Sequence, residues 1–158
     1  MSSLQGGAMG GVDDLYREVI LEHFKSPRNK GKLAHPTAQA DGVNPLCGDQ
    51  ISISALIENG VVKDIKFDGQ GCAISQSTAS MMTAAIKGKT LADAKAFTKF
   101  FKDLFGVKDA TIAEGKKFSP EDLGDLEALE GVKKYPVRIK CALLSWNTFL
   151  ESLNNFEK

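Results

Sequence analysis

The strongest constraint on the fold is an alternation of apolar and polar residues that begins at Ile51 and is interrupted by Asn59-Gly60. Apolar and polar residues alternate on both sides of this dipeptide, which is typical of two strands that each bury one face. Asn-Gly favours a two-residue turn with positive φ angles, so the pattern predicts an antiparallel hairpin. The apolar positions are Ile51, Ile53, Ala55 and Ile57 before the turn, and Val61, Ile65 and Phe67 after it.

The segments around the hairpin have mainly helical periodicity. A helix capped by Asp13 or Asp14 is expected to end at Ser26-Pro27, because the residue before a proline avoids the helical region. A weak pattern over 37–43 indicates one further short strand. Helices are also predicted from Ala73 to Lys87, from Thr90 to Gly106, from Ser119-Pro120 to about Glu130, and from Pro136 to about Asn154.

Length and composition indicate a single ordinary globular domain. The chain has 158 residues, and its 20 basic and 20 acidic side chains cancel, so it lacks the basic footprint of a nucleic-acid-binding protein. No apolar run is long enough to span a membrane. Residues 1–11 are rich in Gly and Ser and lack the pattern of a signal peptide, so we expect a flexible tail or a cloning remnant, with the domain over 12–158.

Three cysteines are the candidate functional residues. Cys47 lies two residues before Asp49 in a Gly-containing turn, and Cys72 follows Gly71. Cys141 lies about 180° around the last helix from its apolar stripe of Ile139, Leu143 and Trp146. An odd number of cysteines without an export signal favours a reducing compartment, the cytoplasm, where thiols remain available for metals.

The donor types point to a soft metal, although a second interpretation stays open. Three thiolates and a carboxylate suit tetrahedral zinc or the iron of an Fe–S cluster, and not calcium or magnesium. Such a donor set is anionic, and Arg138, one turn before Cys141, is the candidate cation beside it. The alternative is that all three cysteines are small buried hydrophobes, because free cysteine is often buried.

Three motifs resemble the IscU/NifU N-terminal family. They are Asn-Pro-x-Cys-Gly-Asp at Asn44 to Asp49, Gly-Cys-x-Ile-Ser at Gly71 to Ser75, and Pro-Val-Arg-Ile-Lys-Cys at Pro136 to Cys141. Two features resemble the SufU-type branch. Lys140 stands where scaffold-type members have a histidine before the last cysteine, and the stretch from Ala110 to Gly131 corresponds to an extra segment of SufU-like members.

This resemblance implies an α+β fold in which a small antiparallel sheet of about three strands packs against several helices. It implies zinc bound by Cys47, Asp49, Cys72 and Cys141. The implied function is a zinc-dependent sulfurtransferase that accepts persulfide sulfur from a SufS-type cysteine desulfurase and passes it to downstream Fe–S assembly proteins. Cys47 is then the sulfur acceptor, and Arg138 supports the charge of the site.

Two other functions remain open from the sequence. The same four side chains could hold a labile Fe–S cluster, which would make the protein a scaffold with iron in place of zinc. A closed structural zinc site without a transfer role is the second alternative. His23 lies on the first helix, where we expect a surface or capping residue and not a metal ligand.

Overall fold

The computed structural model describes residues 10–157, with side chains from Tyr16 onward. Within these residues, three strands form one antiparallel sheet in which neighbours follow chain order, accompanied by four α-helices and one 3-10 segment. The strands are β1 Ala38–Asn44, β2 Asp49–Glu58 and β3 Val61–Gln70; the helices are α1 Gly10–Lys25, α2 Ala73–Ile86, α3 Leu91–Leu104 and α4 Pro136–Glu157; the 3-10 segment is Pro120–Lys134. The expected α+β fold with a three-stranded sheet is confirmed. Within this described range no helix has the length and apolar character needed to cross a membrane.

The predicted hairpin is present, with one change of register. Asn59 and Gly60 both have positive φ angles, 54° and 72°, as a two-residue turn requires. The pairing shifts between Leu56 and Ile57, so that Lys63 has no partner and forms a β-bulge. The extra residue makes Val62, and not the predicted Val61, the buried valine of β3.

The first helix includes residues before its predicted cap. Helix α1 covers Gly10–Lys25, which places Asp13 and Asp14 inside the helix and not at its cap. Of the predicted tail over residues 1–11, only Gly10 and Gly11 are described, and they lie in α1; residues 1–9 lie outside the described residues. The predicted end before Ser26-Pro27 is confirmed.

Helix α4 packs against both β1 and β2 of the sheet and is buried on more than one side. Trp146 stacks on Phe101 of α3 with ring centroids 4.6 Å apart, inside the main core. On the opposite side, Thr148 and Leu144 approach Gly42 of β1 so closely that a Cβ there would collide with Thr148. This close approach brings the second face of α4, which carries Cys141, down onto the sheet.

The segment between α3 and α4 is fixed at its start by a buried cation. The Lys102 amine, on α3, donates to Asp109 at 2.9 Å and to Asn147 of α4 at 2.7 Å. The Thr111 hydroxyl and the Lys102 amine, both bonded to the Asp109 carboxyl, lower its pKa from 3.8 to about 2. These contacts join the two helices that flank the segment.

The 3-10 segment replaces the short α-helix that we predicted from Ser119-Pro120. The Asp122 carboxylate accepts the Ser119 backbone N–H at 2.8 Å, so the predicted start is correct. Gly124 then adopts φ 55° and ψ −130°, which interrupts the helical geometry. Leu123, Leu126 and Leu129 are buried, and they hold this irregular segment against the helices.

His23 is a buried link between three elements, and its expected surface position was wrong. Only 2% of the residue is exposed. One ring nitrogen lies 2.7 Å from the Ser80 hydroxyl of α2, and the other lies 2.8 Å from the Asp125 carboxylate of the 3-10 segment. Ser80 also accepts the Arg28 backbone N–H at 2.8 Å. The histidine therefore holds α1 and the 3-10 segment to α2.

We expect His23→Ala to lower the free energy of unfolding by about 2–3 kcal/mol, because it removes two hydrogen bonds from the interior and leaves the Ser80 hydroxyl with the Arg28 N–H as its remaining partner. Urea denaturation measures this change. The matched control is His35→Ala, at the exposed loop histidine, which should change stability by less than about 0.5 kcal/mol. Equal effects of the two substitutions would contradict the proposed link.

The contacts of Asp109 predict a pH-dependent contribution to stability. Its folded pKa lies below the ordinary value, so the ionised form stabilises the fold above about pH 4, and this contribution disappears as the pH falls towards 2. Asp109→Asn should lower the free energy of unfolding by about 1 kcal/mol at pH 6, a figure reduced for solvent screening. The difference from the unsubstituted protein should shrink between pH 4 and pH 2. Glu58→Gln, at the exposed end of β2, is the control for the loss of one surface carboxylate.

Candidate metal centre

Cys47 lies at the tip of the connection between β1 and β2. Asn44 and Asp49 are the last paired residues of these strands, so only four residues, 45–48, close the turn. The Cys47 N–H donates to the Asn44 carbonyl at 3.2 Å, and Gly48 supplies a φ of 67°. This turn leaves Cys47 half-buried between the strand ends and the neighbouring exposed Leu46.

Asp49 and Cys72 meet because the β2–β3 hairpin brings their backbones together. Gln50 pairs with Gln70, and the chain then continues through Gly71 to Cys72. The Cys72 N–H donates to Asp49 Oδ1 at 2.8 Å, and Cys72 Sγ lies 3.7 Å from Asp49 Oδ2. Gly71 has φ 153°, and a Cβ at this position would collide with the Asp49 carboxylate. Glycine is therefore required for this contact.

Cys141 reaches the same place from helix α4. Its thiol is fully buried, and its Sγ lies 3.1 Å from Cys47 Sγ. The Asn44 side-chain amide approaches Cys141 Sγ at 3.6 Å. The donor atoms of Cys47, Asp49 and Cys141 all lie within 4.8 Å of one another, whereas Cys72 is outside this group and adjoins it through Asp49. The structure thus brings three of the four expected ligands together and places the fourth beside them.

The surroundings of these groups disfavour uncompensated negative charge. Burial raises the pKa of the Cys141 thiol, and the neighbouring Cys47 and Cys72 thiols and the Asp49 carboxylate raise it further. The pKa of the Arg138 guanidinium is raised by its hydrogen bond to Cys141 and by the charges of Cys72 and Cys47. Arg138 is thus a cation close to all three thiols.

The donor set fits zinc on chemical grounds. Ionised thiolates and a carboxylate in a partly buried cluster are costly unless a cation neutralises them. Thiolate sulfur and carboxylate oxygen are ligands that zinc accepts, and four donors complete its tetrahedral shell. A single guanidinium offsets only part of the charge of three thiolates and one carboxylate. Cys47, Asp49, Cys72 and Cys141 are therefore the residues that would hold the ion.

Two residues that contact this centre were not predicted from the sequence. Asn44 was noted only as part of a motif, yet it is 7% exposed and points its amide at Cys141. Ser75, in the first turn of α2, directs its backbone N–H at Cys72 Sγ at 3.5 Å, so that Cys72 caps the helix. The position of Cys72 just before a helix was the available signal for this second contact.

The chain is similar to known proteins over most of its length. Residues 15–142 match the NifU-like N-terminal domain. The chain is 48% identical over 136 residues to the zinc-dependent sulfurtransferase SufU of Bacillus subtilis, covering 85% of this chain and 86% of that protein. It is 34% identical over 146 residues to the iron–sulfur cluster assembly scaffold protein IscU of Thermotoga maritima, covering 91% and 96% of the two chains.

A solved structure extends the comparison to three dimensions. The crystal structure of a protein from Fervidobacterium islandicum that has been assigned as an iron–sulfur cluster assembly scaffold for the SUF system superimposes with a TM-score of 0.76 at 33% sequence identity. The match covers 90% of this chain and 99% of the other. Together with the matched residues 15–142, these likenesses show that the chain belongs to the NifU-like N-terminal domain family.

Proposed function

We propose that this protein is a zinc-dependent sulfur acceptor in iron–sulfur cluster assembly, supplied with persulfide sulfur by a SufS-type cysteine desulfurase in the cytoplasm. One observation carries the proposal: three cysteines that are 25 and 69 residues apart converge around Asp49, with Cys47 and Cys141 sulfurs 3.1 Å apart. The 48% identical Bacillus subtilis relative is named a zinc-dependent sulfurtransferase, which supports the same activity here.

Zinc, when bound, keeps the thiolates ionised at neutral pH and engages their lone pairs, so that they are protected from unwanted reaction. Asp49 is suited to hold the ion while a thiolate is exchanged, because its carboxylate is fixed by the Cys72 N–H and is 1% exposed. Arg138 remains beside the thiols and supports their negative charge throughout.

Access favours Cys47 over Cys141 as the acceptor. Cys141 is fully buried on α4, whereas Cys47 is half-buried on a four-residue turn next to Leu46, which is 68% exposed. In the transfer, the Cys47 thiolate attacks the outer sulfur of the donor's cysteine persulfide. The sulfur–sulfur bond breaks, the donor cysteine leaves as a thiolate, and Cys47 carries the new persulfide. No external oxidant or reductant is needed.

The second candidate is a scaffold that assembles a labile Fe–S cluster on the same residues. The Thermotoga maritima relative, which is named a scaffold protein, supports this alternative. Lys140 favours sulfur transfer over the scaffold function. It occupies the position before the last cysteine, where scaffold-type members have a histidine, and it is exposed here. The downstream recipients in either case are other Fe–S assembly proteins.

The acceptor assignment predicts that Cys47→Ser abolishes the gain of one sulfur atom after incubation with a cysteine desulfurase and cysteine. Intact-mass spectrometry under non-reducing conditions measures this gain. Cys72→Ser is the matched control, since it also removes one expected zinc ligand from the same centre but keeps Cys47; both variants are assayed with added zinc, and their zinc contents are compared. The control should still load sulfur. Equal loss in both variants, or normal loading of Cys47→Ser, would contradict the assignment.

The ligand assignment predicts that Asp49→Ala lowers the bound zinc well below the amount held by the unsubstituted protein, because one of four donors is lost. Metal analysis of the purified proteins gives the stoichiometry. Asp41→Ala is the control, since Asp41 is an exposed carboxylate of β1 that contacts Ser52 and lies outside the cluster. A normal zinc content in Asp49→Ala would refute the role of Asp49.

The visible absorption spectrum separates the two candidate functions. A zinc protein is colourless, so we expect no absorption above the ultraviolet when the protein is purified without oxygen. A brown protein with sulfur-to-iron charge-transfer bands, and with iron in place of zinc, would favour the scaffold. Removing the metal with a chelator and repeating the incubation with the desulfurase then tests whether sulfur acceptance depends on zinc.

A further inference from the structure

A groove next to Cys72 is not used by the sulfur-accepting step. It is a cavity of about 480 Å³ between α1, the start of α2, the end of the 3-10 segment and the start of α4. Ile20, Ile74 and Val132 provide apolar walls from three of these elements. Cavities of this size that are mostly apolar and contain a few polar groups are typical of small-molecule sites.

The charged residues of the groove all have the same sign. Arg17, Lys134 and Arg138 line it, and no acidic residue does so among the residues that the structure describes. None of the three forms an ion pair with another side chain in that described part of the chain. The whole chain has no net charge, so this concentration of cations is local. It favours an anionic ligand.

The groove opens onto one of the three cysteines. Cys72 lines it, whereas Cys47 and Cys141 do not. Cys72 is half-buried at the N-terminus of α2, so its thiol is accessible from the groove side. Cys47 is instead next to Leu46 and Val43, which are 68% and 65% exposed and do not line the groove. The two thiols therefore face different surroundings.

We propose that the groove binds a small thiol that carries one or more carboxylates, and that this thiol removes the transferred sulfur at Cys72. The proposal rests on the proposed function, in which sulfur first arrives on Cys47. Arg17 and Lys134 bind the carboxylates, and the apolar walls hold the body of the ligand with its sulfur towards Cys72.

The chemistry consists of two balanced exchanges. The Cys72 thiolate attacks the outer sulfur of the Cys47 persulfide, that sulfur–sulfur bond breaks, and Cys47 is released as a thiolate. The thiolate of the bound ligand then attacks the outer sulfur on Cys72. The new bond forms between the ligand sulfur and the transferred sulfur, and Cys72 leaves as a thiolate. The product is the ligand's persulfide, and each step exchanges one sulfur–sulfur bond for another.

Exposed apolar residues lie beside Cys47 and also at the groove, where Tyr135 is 58% exposed. A protein that delivers sulfur needs an accessible surface around the acceptor, and Val43 and Leu46 provide one beside Cys47. The groove is bounded by side chains from four segments of the chain and has cations at its rim. This shape and charge suit a compact anion better than a broad protein surface.

Binding is tested first with S-methylglutathione, an anionic probe that cannot exchange sulfur. Calorimetry should show saturable binding to the zinc-loaded protein, and the double substitution Arg17→Gln with Lys134→Gln should weaken it roughly five- to tenfold. Lys133→Gln is the matched control, because Lys133 is exposed beside Lys134 but does not line the groove. Absence of saturable binding, or equal weakening by Lys133→Gln, overturns the proposal.

Sulfur removal is tested with protein that has been loaded by a desulfurase. The double variant should lose sulfur to glutathione several-fold more slowly than the unsubstituted protein does. With uncharged 2-mercaptoethanol, the two proteins should lose sulfur at the same rate. Equal slowing with both thiols, or slowing with neither, overturns the proposal. Weaker binding of the desulfurase to the double variant, with an unchanged rate of sulfur loss to glutathione, also overturns the proposal, because it would show that the groove binds a protein segment. If the unsubstituted protein loads no sulfur at all, the proposed function is refuted. Binding of S-methylglutathione then still tests the groove separately.

Discussion

The hydrogen bond from the Cys72 backbone N–H to the Asp49 carboxylate joins the sheet to helix α2 at the centre of the candidate metal site. It exists because the β2–β3 register places Gln50 opposite Gln70 and because Gly71 has no side chain to obstruct Asp49. The bond fixes the carboxylate and positions Cys72 at the helix start in one contact. A shift of one residue in this hairpin would turn Asp49 to the other face of the sheet and separate the two groups.

Much of the fold could be predicted because its patterns are local. The Asn59-Gly60 turn, the alternation of β2, the proline at the end of α1 and the Pro136 start of α4 each depend on residues close in sequence. The β-bulge at Lys63 and the 3-10 geometry around Gly124 could not be predicted in the same way. Both depend on how the strand and the segment fit against distant elements, and packing overrides local preference there.

The candidate site was predicted mainly through its motifs, and the structure explains what periodicity alone could not. Cys141 is off the main apolar stripe of α4, yet Gly42 allows the sheet to approach that side of the helix closely and bury the thiol. His23 is a similar case. A single histidine on an amphipathic helix gives no sign of its partners, because Ser80 and Asp125 are 57 and 102 residues away.

The position of Cys141 in α4 has a consequence for how the protein is made. The β1–β2 turn, the hairpin and the start of α2 supply Cys47, Asp49 and Cys72 early in synthesis, whereas Cys141 follows 69 residues after Cys72. During translation the nascent chain therefore presents two thiols and a carboxylate before the third thiol has emerged from the ribosome. Until α4 docks on the sheet these groups lack the cover of that helix, so they are more accessible to metal ions and oxidants than in the folded protein.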